Sequence, residues 1–350
     1  MNNLNILVAT SGTKNPFIFQ LIKFLQVQPN IRVAQHGLNW LNDRSFRFDV
    51  VLFQWPEVLL SWDPPTKENL KELNDTIAYW KQSGAKLVAT IHNLLPHENN
   101  RYSLSNELYQ LVYKNCDALV HMGESSKELF HETYPGLVKC REEIIPHGNY
   151  NFFKNDITRE NARTKLNLPK DEFVLLVFGS LRTEEEIDLV IEASKYLKKI
   201  SGKLLLVGRL PFRSKKQFKH YLVRSQVWTK KNIILNEGFI SDENVQFYLN
   251  AADALFISRL KSLNSGNVAL GYTFGKVVIG PDFGVIGEDL EKLGNPVFDV
   301  NQIEMTLKKA IEASQKLIET KQGEKNKDYS QHVMDWNRIA DQYVKLFNDL

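Results

Sequence analysis

The chain has few of the features that would assign its class at once. Its 350 residues include only two cysteines, Cys116 and Cys140, which excludes a disulfide framework and argues against a cysteine-based zinc site. No apolar run reaches the roughly 20 residues that a membrane-spanning helix needs. The first residues enter a strand-like apolar segment without the basic region and long apolar stretch of a secretory leader. We therefore expect a cytoplasmic protein.

Acidic residues are absent from one long stretch. Between Ala193 and Asn236 there is no Asp or Glu, whereas twelve lysines and arginines fall inside it. A solvated face of two helices explains most such charge, and the alternative is attraction to an anionic membrane surface or a phosphorylated ligand. No nucleic-acid recognition motif accompanies the charge, so nucleic acid is not expected as a partner.

The common nucleotide-binding fingerprints are also missing. The loop that follows the first apolar run holds a single glycine, Gly12, which is not the dinucleotide pattern, and there is no Walker loop. These absences argue against a nicotinamide enzyme and a phosphate-cleaving ATPase. In the same loop Asn15 suits a helix N-cap and Pro16 suits the first helical position.

Short apolar runs alternate with longer segments of helical spacing. This pattern indicates parallel sheets with helices on both faces, and it occurs as two successive series. Two series predict an α/β protein of two doubly wound domains whose facing strand ends form a cleft. The predicted strands are Ile6–Ala9, Ile31–Ala34, Val50–Phe53, Leu87–Ile91, Ala118–His121 and Ile144–Ile145, then Phe173–Phe178, Leu204–Val207, Ile233–Leu235, Ala254–Ile257 and Val277–Ile279.

The segment Leu263–Lys276 combines cap and glycine chemistry. A helix that begins at Asn264 or Ser265 leaves its first backbone N–H groups without intrahelical partners, and Gly266 has no side chain to keep a ligand away from them. Gly275 stands where that helix would end. An ordinary capped helix and a seat for a phosphate both fit this segment taken alone.

Taken in order along the chain, these pieces resemble the GT-B glycosyltransferases, in particular the bacterial family-4-like enzymes that build surface polysaccharides. Each motif is short, and their order and spacing carry the resemblance over nearly the whole chain. The motifs are Asn15-Pro16, Thr90–His97, Ile145-Pro146-His147-Gly148, Phe178–Arg182, Val207-Gly208-Arg209, Asn264-Ser265-Gly266, Phe274-Gly275-Lys276 and Trp336–Ala340.

The resemblance implies a division of labour between two Rossmann-like domains. Residues 1–165 would bind the acceptor, residues 166–328 would bind a nucleotide-sugar donor, and a final helix within 329–350, roughly Tyr329–Asn348, would cross back to the first domain. Relatives of this kind generally stabilise the leaving diphosphate with basic side chains and helix N-termini, so we expect neither a permanent cofactor nor an essential metal. The donor-binding residues implied here are Gly179, Arg182, Arg209, Ser265, Gly266 and Asn267.

The chain departs from the family pattern at two places. Ser262 and Leu270 stand where many relatives carry two glutamates, the second of which holds the ribose. Glu185 and Glu186 stand where many relatives carry a lysine–glycine pair. Glu185 or Glu186 is therefore a candidate for binding a sugar or ribose hydroxyl, although a glutamate at a solvated helix N-terminus is ordinary.

Candidate groups for chemistry in the first half follow predicted strands. His92 resembles the histidine on the sugar side of the cleft in relatives, and His97, His147 and Glu124 are further candidates. An inverting enzyme would use such a group as a base toward the acceptor hydroxyl, whereas a retaining enzyme would use it for hydrogen bonding. Gly12 and Asn15 are expected on the acceptor-side loop. The rings of Phe17, Trp55 and Trp62 suit either sugar stacking or packing.

The function expected from this resemblance is transfer of a hexose from a GDP- or UDP-linked donor to a saccharide acceptor. A lipid-linked acceptor in surface polysaccharide synthesis would give the acid-free stretch a purpose at the inner face of the membrane. Two alternatives stay open: a catalytically inactive GT-B binding or partner subunit, and a GT-B-fold nucleotide-sugar epimerase. Neither the sugar nor the stereochemical outcome follows from the sequence.

Overall fold

The structure, a computed structural model, describes residues 3–10, 15–34, 41–95, 104–211 and 218–350. The chain divides into two compact units. Unit 1 comprises Met1–Gly148 together with Val333–Leu350, and unit 2 comprises Asn149–His332.

Strands and helices alternate through both units. The strands are β1 Leu4–Ala9, β2 Ile31–Ala34, β3 Val50–Phe53, β4 Lys86–Thr90, β5 Ala118–His121, β6 Arg141–Ile144, β7 Val174–Phe178, β8 Lys203–Val207, β9 Ile233–Asn236, β10 Ala254–Phe256, β11 Val277–Pro281 and β12 Val297–Phe298. The helices are α1 Pro16–Gln26, α2 Lys67–Gln82, α3 Ser105–Tyr113, α4 Glu124–Thr133, α5 Arg159–Lys165, α6 Glu184–Lys199, α7 Phe218–Trp228, α8 Asp242–Ala251, α9 Gly266–Thr273, α10 Gly284–Lys292, α11 Ile303–Glu319, α12 Gln322–His332 and α13 Trp336–Asn348, with a 3-10 turn at Pro56–Leu60.

Unit 1 is built on a six-stranded sheet in the order β2-β1-β3-β4-β5-β6, and every neighbouring pair is parallel. Its central strands are continuous apolar runs, such as Val50–Phe53, because helices cover both faces of a parallel sheet. The last helix, α13, packs against α1, and the side chain of Tyr343 contacts Thr90 on β4. The final segment therefore belongs to the core of unit 1.

Unit 2 repeats the arrangement with a six-stranded parallel sheet in the order β12-β11-β10-β7-β8-β9. The sheet order reverses between β7 and β10, where doubly wound folds bind ligands at the carboxyl ends of the strands. The strand β12 was not predicted, because two residues give no readable periodicity. The α/β class and the two Rossmann-like sheets are confirmed.

Two boundaries differ from the sequence expectation. The structure divides the chain after Gly148 and not after residue 165, because α5 packs on α8 and the Arg163 guanidinium lies 2.7 Å from the Asp253 carboxylate within unit 2. The expectation of one helix over Tyr329–Asn348 is wrong at its start. The Asp335 side chain accepts hydrogen bonds from two amides of the next turn, so α13 begins afresh at Trp336.

Candidate functional site

A turn of four residues after β7 organises the carboxyl edge of the unit 2 sheet. The Gly179 amide donates to the Val207 carbonyl at 2.8 Å, and the Leu181 amide donates to the Arg209 carbonyl at 2.8 Å. Gly208 has φ +136°, and a Cβ there would lie 2.1 Å from the Gly179 carbonyl oxygen. The two turns thus approach so closely that only glycine fits at position 208.

The N-terminus of α9 meets the same turn. Ser265 is the N-cap, with its hydroxyl accepting from the Asn267 amide at 3.3 Å. The Asn267 side-chain amide donates to the Phe178 carbonyl at 2.7 Å, which fixes the first turn of α9 beside the end of β7. Gly275 follows the helix with φ +63°. The predicted start at Ser265 and the predicted stop at Gly275 are confirmed.

Two arginines and one buried glutamate surround this turn. The Arg182 amide donates to Glu186 Oε2 at 2.6 Å, and Arg259 Nε lies 3.9 Å from Glu186 Oε1. The Arg259 guanidinium also reaches the Ser180 carbonyl at 3.5 Å. Glu186 is 7% exposed, so its negative charge offsets the positive charge of Arg259 inside the protein, where solvent screens it little. A local excess of positive charge results.

The pKa values of this cluster express the same balance. Burial lowers the pKa of Arg259, the neighbouring Arg182 lowers it further, and Glu186 opposes both. Burial raises the pKa of Glu186 above its usual range, whereas the Arg182 amide and the two guanidiniums act in the opposite direction. An anion bound here would relieve the repulsion between the two arginines.

The remaining donor-binding candidates lie around this cluster. Arg209 and Arg182 are exposed, and Gly266 is half-buried at the helix start. Glu185 is exposed on the first turn of α6, where the Thr183 hydroxyl, its own backbone amide and the charge of Lys261 lower its pKa. The structure therefore brings Gly179, Arg182, Ser265 and Asn267 together on one edge, with Arg209 and Glu185 on its rim.

The two positions that lack the family glutamates have other roles. The Ser262 hydroxyl donates to the Asn264 carbonyl at 2.8 Å and so shapes the loop before α9. Leu270 is 3% exposed and belongs to the core of unit 2. A carboxylate in so buried a position would be costly without a polar partner.

Sequence reasoning missed Arg259, and it did not predict that Glu186 would be buried near it. Arg259 comes three residues after the buried strand β10, and a polar residue just beyond the carboxyl end of such a strand is the signal that could have found it. Glu186 was grouped with Glu185 at the helix start. Only the pairing of β10 with β7 brings Arg259 to the turn that Glu186 holds.

In unit 1 the candidate histidines lie at the carboxyl edge of the sheet among aromatic rings. The His92 ring stacks on Trp55 at a centroid distance of 3.9 Å and meets the edge of Phe17 at 5.2 Å. Its Nε2 lies 2.8 Å from Gln54 Oε1, and Gln54 Nε2 donates to the Thr90 hydroxyl at 3.4 Å. The imidazole is therefore held in one orientation.

His147 belongs to the same aromatic group. Its ring lies 5.1 Å from Phe17, and its Nδ1 donates to the Gly148 carbonyl at 2.6 Å. Burial lowers the pKa of His147 to about 4, so the ring is neutral at physiological pH. Trp336 at the start of α13 also packs on Phe17, at 5.4 Å.

The other acceptor-side candidates are less closely placed. Glu124 is exposed at the first position of α4, beyond the end of β5. Asn15 caps α1 by accepting from the Phe17 amide at 2.9 Å, as predicted. His97 and Gly12 lie outside the described residues.

A buried histidine on β5 was overlooked. His121 is fully buried, with Nδ1 3.1 Å from the Ser126 hydroxyl and Nε2 3.1 Å from Glu142. Burial lowers its pKa to about 4 against the opposing influence of Glu142. The sequence hid it because it occupies the last position of an apolar strand.

The described ranges contain neither a cluster of metal-binding side chains nor a membrane-spanning helix. Within residues 3–10, 15–34, 41–95, 104–211 and 218–350, no group of three or more histidines, cysteines or acids is placed to hold a metal ion. Among the helices that the structure describes, none is long and apolar enough to cross a bilayer.

Solved structures with the same architecture are GT-B proteins. Sucrose-phosphate synthase from Thermosynechococcus elongatus superposes with a TM-score of 0.69 at 17% identity over 99% of both chains. HepE from Anabaena, solved with UDP-glucose, gives a TM-score of 0.70 at 13% identity over 99% of both chains. WaaG, a glycosyltransferase of lipopolysaccharide biosynthesis, gives 0.60 at 14% identity over 98% of this chain and 99% of that one. The fold is therefore GT-B.

A family model matches much of unit 2. Residues 158–324 match the model described as Glycosyl transferases group 1. The match spans α5 to the first turn of α12, and it includes the turn after β7 and the start of α9. Among curated proteins, none matches the sequence.

Proposed function

We propose that this protein is a glycosyltransferase that moves a hexose from a UDP- or GDP-linked donor to a saccharide acceptor. Unit 2 binds the nucleotide sugar, and unit 1 binds the acceptor. The family match of unit 2 supports the reaction class, and the UDP-glucose bound by HepE supports a nucleotide-sugar donor. The acceptor that we propose is lipid-linked, within surface polysaccharide synthesis, as the acid-free basic stretch suggests.

The observation that carries this proposal is the convergence on the turn after β7. Arg182 and Arg259 flank it, Asn267 ties the positive end of α9 to it, and the glycine at position 208 brings a second turn against it. Guanidiniums, a helix N-terminus and closely approaching backbone together form the kind of environment that binds a diphosphate.

The same groups support the chemical step. Breaking the bond between the sugar and the diphosphate leaves negative charge on the leaving oxygens. Arg259 and the first amides of α9 are held in place by their contacts, and together with Arg182 they would stabilise that charge as it develops. Glu186 offsets part of the positive charge, because its buried carboxylate accepts from the Arg182 backbone amide and lies 3.9 Å from Arg259 Nε.

In unit 1, His92 and His147 are the groups that we propose to face the sugars. The rings of Trp55 and Phe17 pack against His92, which gives a sugar an apolar surface beside a hydrogen-bonding imidazole. His147 is neutral at pH 7 and its Nδ1 donates to a carbonyl, so its Nε2 is the nitrogen able to accept a proton. In an inverting reaction this nitrogen would take the proton of the acceptor hydroxyl. In a retaining reaction the imidazole would only form hydrogen bonds.

Nucleotide binding is the first test. Isothermal titration with UDP and GDP should give binding for one of them, and Arg182→Ala should weaken it about tenfold without lowering thermal stability, because a charge-assisted hydrogen bond of this kind contributes about 1.5 kcal/mol or more. The control is Arg141→Ala, which removes a surface arginine of unit 1 that pairs with Glu143 and Asp349. Equal affinity of all three proteins would show that the diphosphate lies elsewhere.

Turnover decides between the proposed transferase and the two alternatives. Incubation with a panel of UDP- and GDP-sugars, with and without saccharide acceptors, should release the nucleotide diphosphate faster when an acceptor is present. Conversion of the donor sugar without acceptor would identify an epimerase instead. Binding without any turnover would identify an inactive subunit, the reading that the buried Leu270 favours.

A further inference from the structure

The helix α7 carries an exposed apolar stripe on its outer face. Tyr221 is 56% exposed, Leu222 is 46% exposed and Trp228 is 68% exposed, although all three have large apolar surfaces. Tyr221 and Trp228 are seven residues apart, which is two helical turns, so their side chains project from one face. Between them, Ser225 is also exposed.

The opposite face of α7 fixes the helix to unit 2. Val227 is only 1% exposed and joins the core of the unit. The Arg224 guanidinium binds the Glu237 carboxylate just beyond the end of β9. The helix therefore has a buried side with its own partners. The apolar side chains on the outer face are thus exposed although the helix is packed on unit 2.

A fourth exposed apolar side chain lies in the loop after β9. Phe239 is 79% exposed and lies two residues after Glu237, the partner of Arg224. The ion pair between Arg224 and Glu237 joins this loop to α7. We call the three exposed side chains of α7, Tyr221, Leu222 and Trp228, the aromatic stripe.

The sequence around the aromatic stripe carries an excess of positive charge. The stretch from Ala193 to Asn236 contains α7 and no acidic residue, and Lys230 and Lys231 directly follow Trp228. A partner that covers this surface must accept both apolar side chains and a concentration of positive charge. A bilayer with anionic head groups meets both demands, because aromatic side chains partition to its interface while lysines remain at its charged surface.

We propose that the aromatic stripe on α7 binds unit 2 to the surface of an anionic membrane. The helix lies along the head groups, with Tyr221, Leu222 and Trp228 inserted and the lysines in contact with lipid phosphates. This inference rests on the proposed function, in which the acceptor is lipid-linked. It deepens that proposal by assigning the membrane contact to unit 2, the unit proposed to bind the donor. Binding by the stripe needs no nucleotide.

Flotation of the full-length protein with vesicles tests the proposal. Phosphatidylcholine vesicles are compared with vesicles that also contain phosphatidylglycerol, at low and high salt. The wild type should float with the anionic vesicles only, and high salt should release it. Leu222→Ser combined with Trp228→Ser should reduce the partition coefficient about tenfold, because two large apolar side chains no longer enter the interface.

The matched control makes the same chemical change in unit 1. Trp62 and Leu95 are 54% and 42% exposed, so Trp62→Ser with Leu95→Ser removes a similar apolar area at another surface. This variant should float like the wild type. Equal flotation of the two double variants, or no flotation of the wild type, would overturn the proposal. Flotation with neutral vesicles to the same extent would also overturn it.

Two further measurements separate the remaining explanations. Light scattering after gel filtration shows whether the stripe holds two copies of the chain together, and a dimer that only the Leu222→Ser, Trp228→Ser variant dissociates would overturn the membrane assignment. Thermal shift with UDP should be the same for the wild type and both double variants. Loss of the UDP response in the wild type would contradict the proposed donor site and leave the flotation result intact.

Discussion

The carboxyl edges of the two sheets present different chemistry on the same scaffold. In unit 1, His92 and His147 stand among the rings of Trp55 and Phe17. In unit 2, two guanidiniums and the start of α9 surround a turn held by backbone hydrogen bonds. Rings suit neutral sugars and cations suit phosphates, so this difference supports the proposal that the two units bind different substrates.

The backbone differs as much as the side chains do. In unit 2 the strands β7 and β8 are each followed at once by a glycine with positive φ, Gly179 and Gly208. In the described part of unit 1, none of the strands β3 to β6 is followed directly by such a glycine. Unit 2 thus offers bare backbone to a ligand, whereas unit 1 offers side chains. This is the contrast that the following substitutions test.

The largest effect is expected from Gly208→Ala. The added Cβ would meet the Gly179 carbonyl oxygen at 2.1 Å, in a backbone with φ +136° that disfavours any side chain. We expect a loss of unfolding free energy of about 3 kcal/mol or more, measured by urea denaturation. Gly179→Ala is the control, since φ there is +107° but no atom lies within 4 Å of the new Cβ. It should cost about 1–2 kcal/mol, and equal losses would mean that the clash is relieved by movement.

The second prediction concerns pH and unit 1. His121 and His147 have pKa values near 4 in the folded protein, below the value of about 6.5 expected when unfolded. The unfolded chain therefore binds protons that the folded chain does not. The contribution of these histidines to the unfolding free energy is therefore fully present above pH 6.5. It is lost as the pH drops toward 4, by about 3 kcal/mol for each histidine.

Replacement of both histidines isolates this effect from the carboxylates that titrate in the same range. The double variant His121→Gln with His147→Gln should show a flatter dependence of unfolding free energy on pH between 6.5 and 5 than the wild type. Hydrogen exchange should place the wild-type loss in the strands of unit 1. If protection were lost first in unit 2 as the pH falls, the two histidines of unit 1 would not be the cause.

The sequence predicts most of the strands because each is an apolar run long enough to stand out. Ile31–Ala34, Val50–Phe53 and Ala118–His121 have the predicted bounds. The caps at Asn15 and Ser265 were also predictable, since an N-cap is local chemistry that the neighbouring residues decide.

The composition of the site was less predictable because it depends on which strands are neighbours. Arg259 reaches the turn after β7 only because β10 pairs with β7, a pairing between distant parts of the chain. His121 was hidden by its strand, and the burial of Glu186 near Arg259 was not evident from the sequence. Local patterns therefore indicate the elements, whereas the partners of a charged side chain emerge from the topology.

The third prediction tests the guanidinium that the sequence did not reveal. Arg259→Ala should weaken UDP binding about tenfold in isothermal titration, since one of two cations beside the diphosphate is lost. Arg259→Lys should recover part of that loss, because the charge returns without the second hydrogen-bonding arm. Arg141→Ala in unit 1 serves as the matched arginine control. Full affinity in Arg259→Ala would confine the proposed phosphate contacts to Arg182 and the helix start.

The smallest effect comes from a pair of helix caps, one in each unit. Asp335 caps α13 in unit 1, and Ser265 caps α9 in unit 2. Either residue changed to alanine should lower the unfolding free energy by about 1 kcal/mol, because one or two helical amides lose their acceptor. Only Ser265→Ala should also weaken UDP binding, by a few-fold, since its helix start faces the proposed diphosphate. If both variants bind UDP like the wild type, Ser265 only caps α9, and the arginines alone bind the diphosphate.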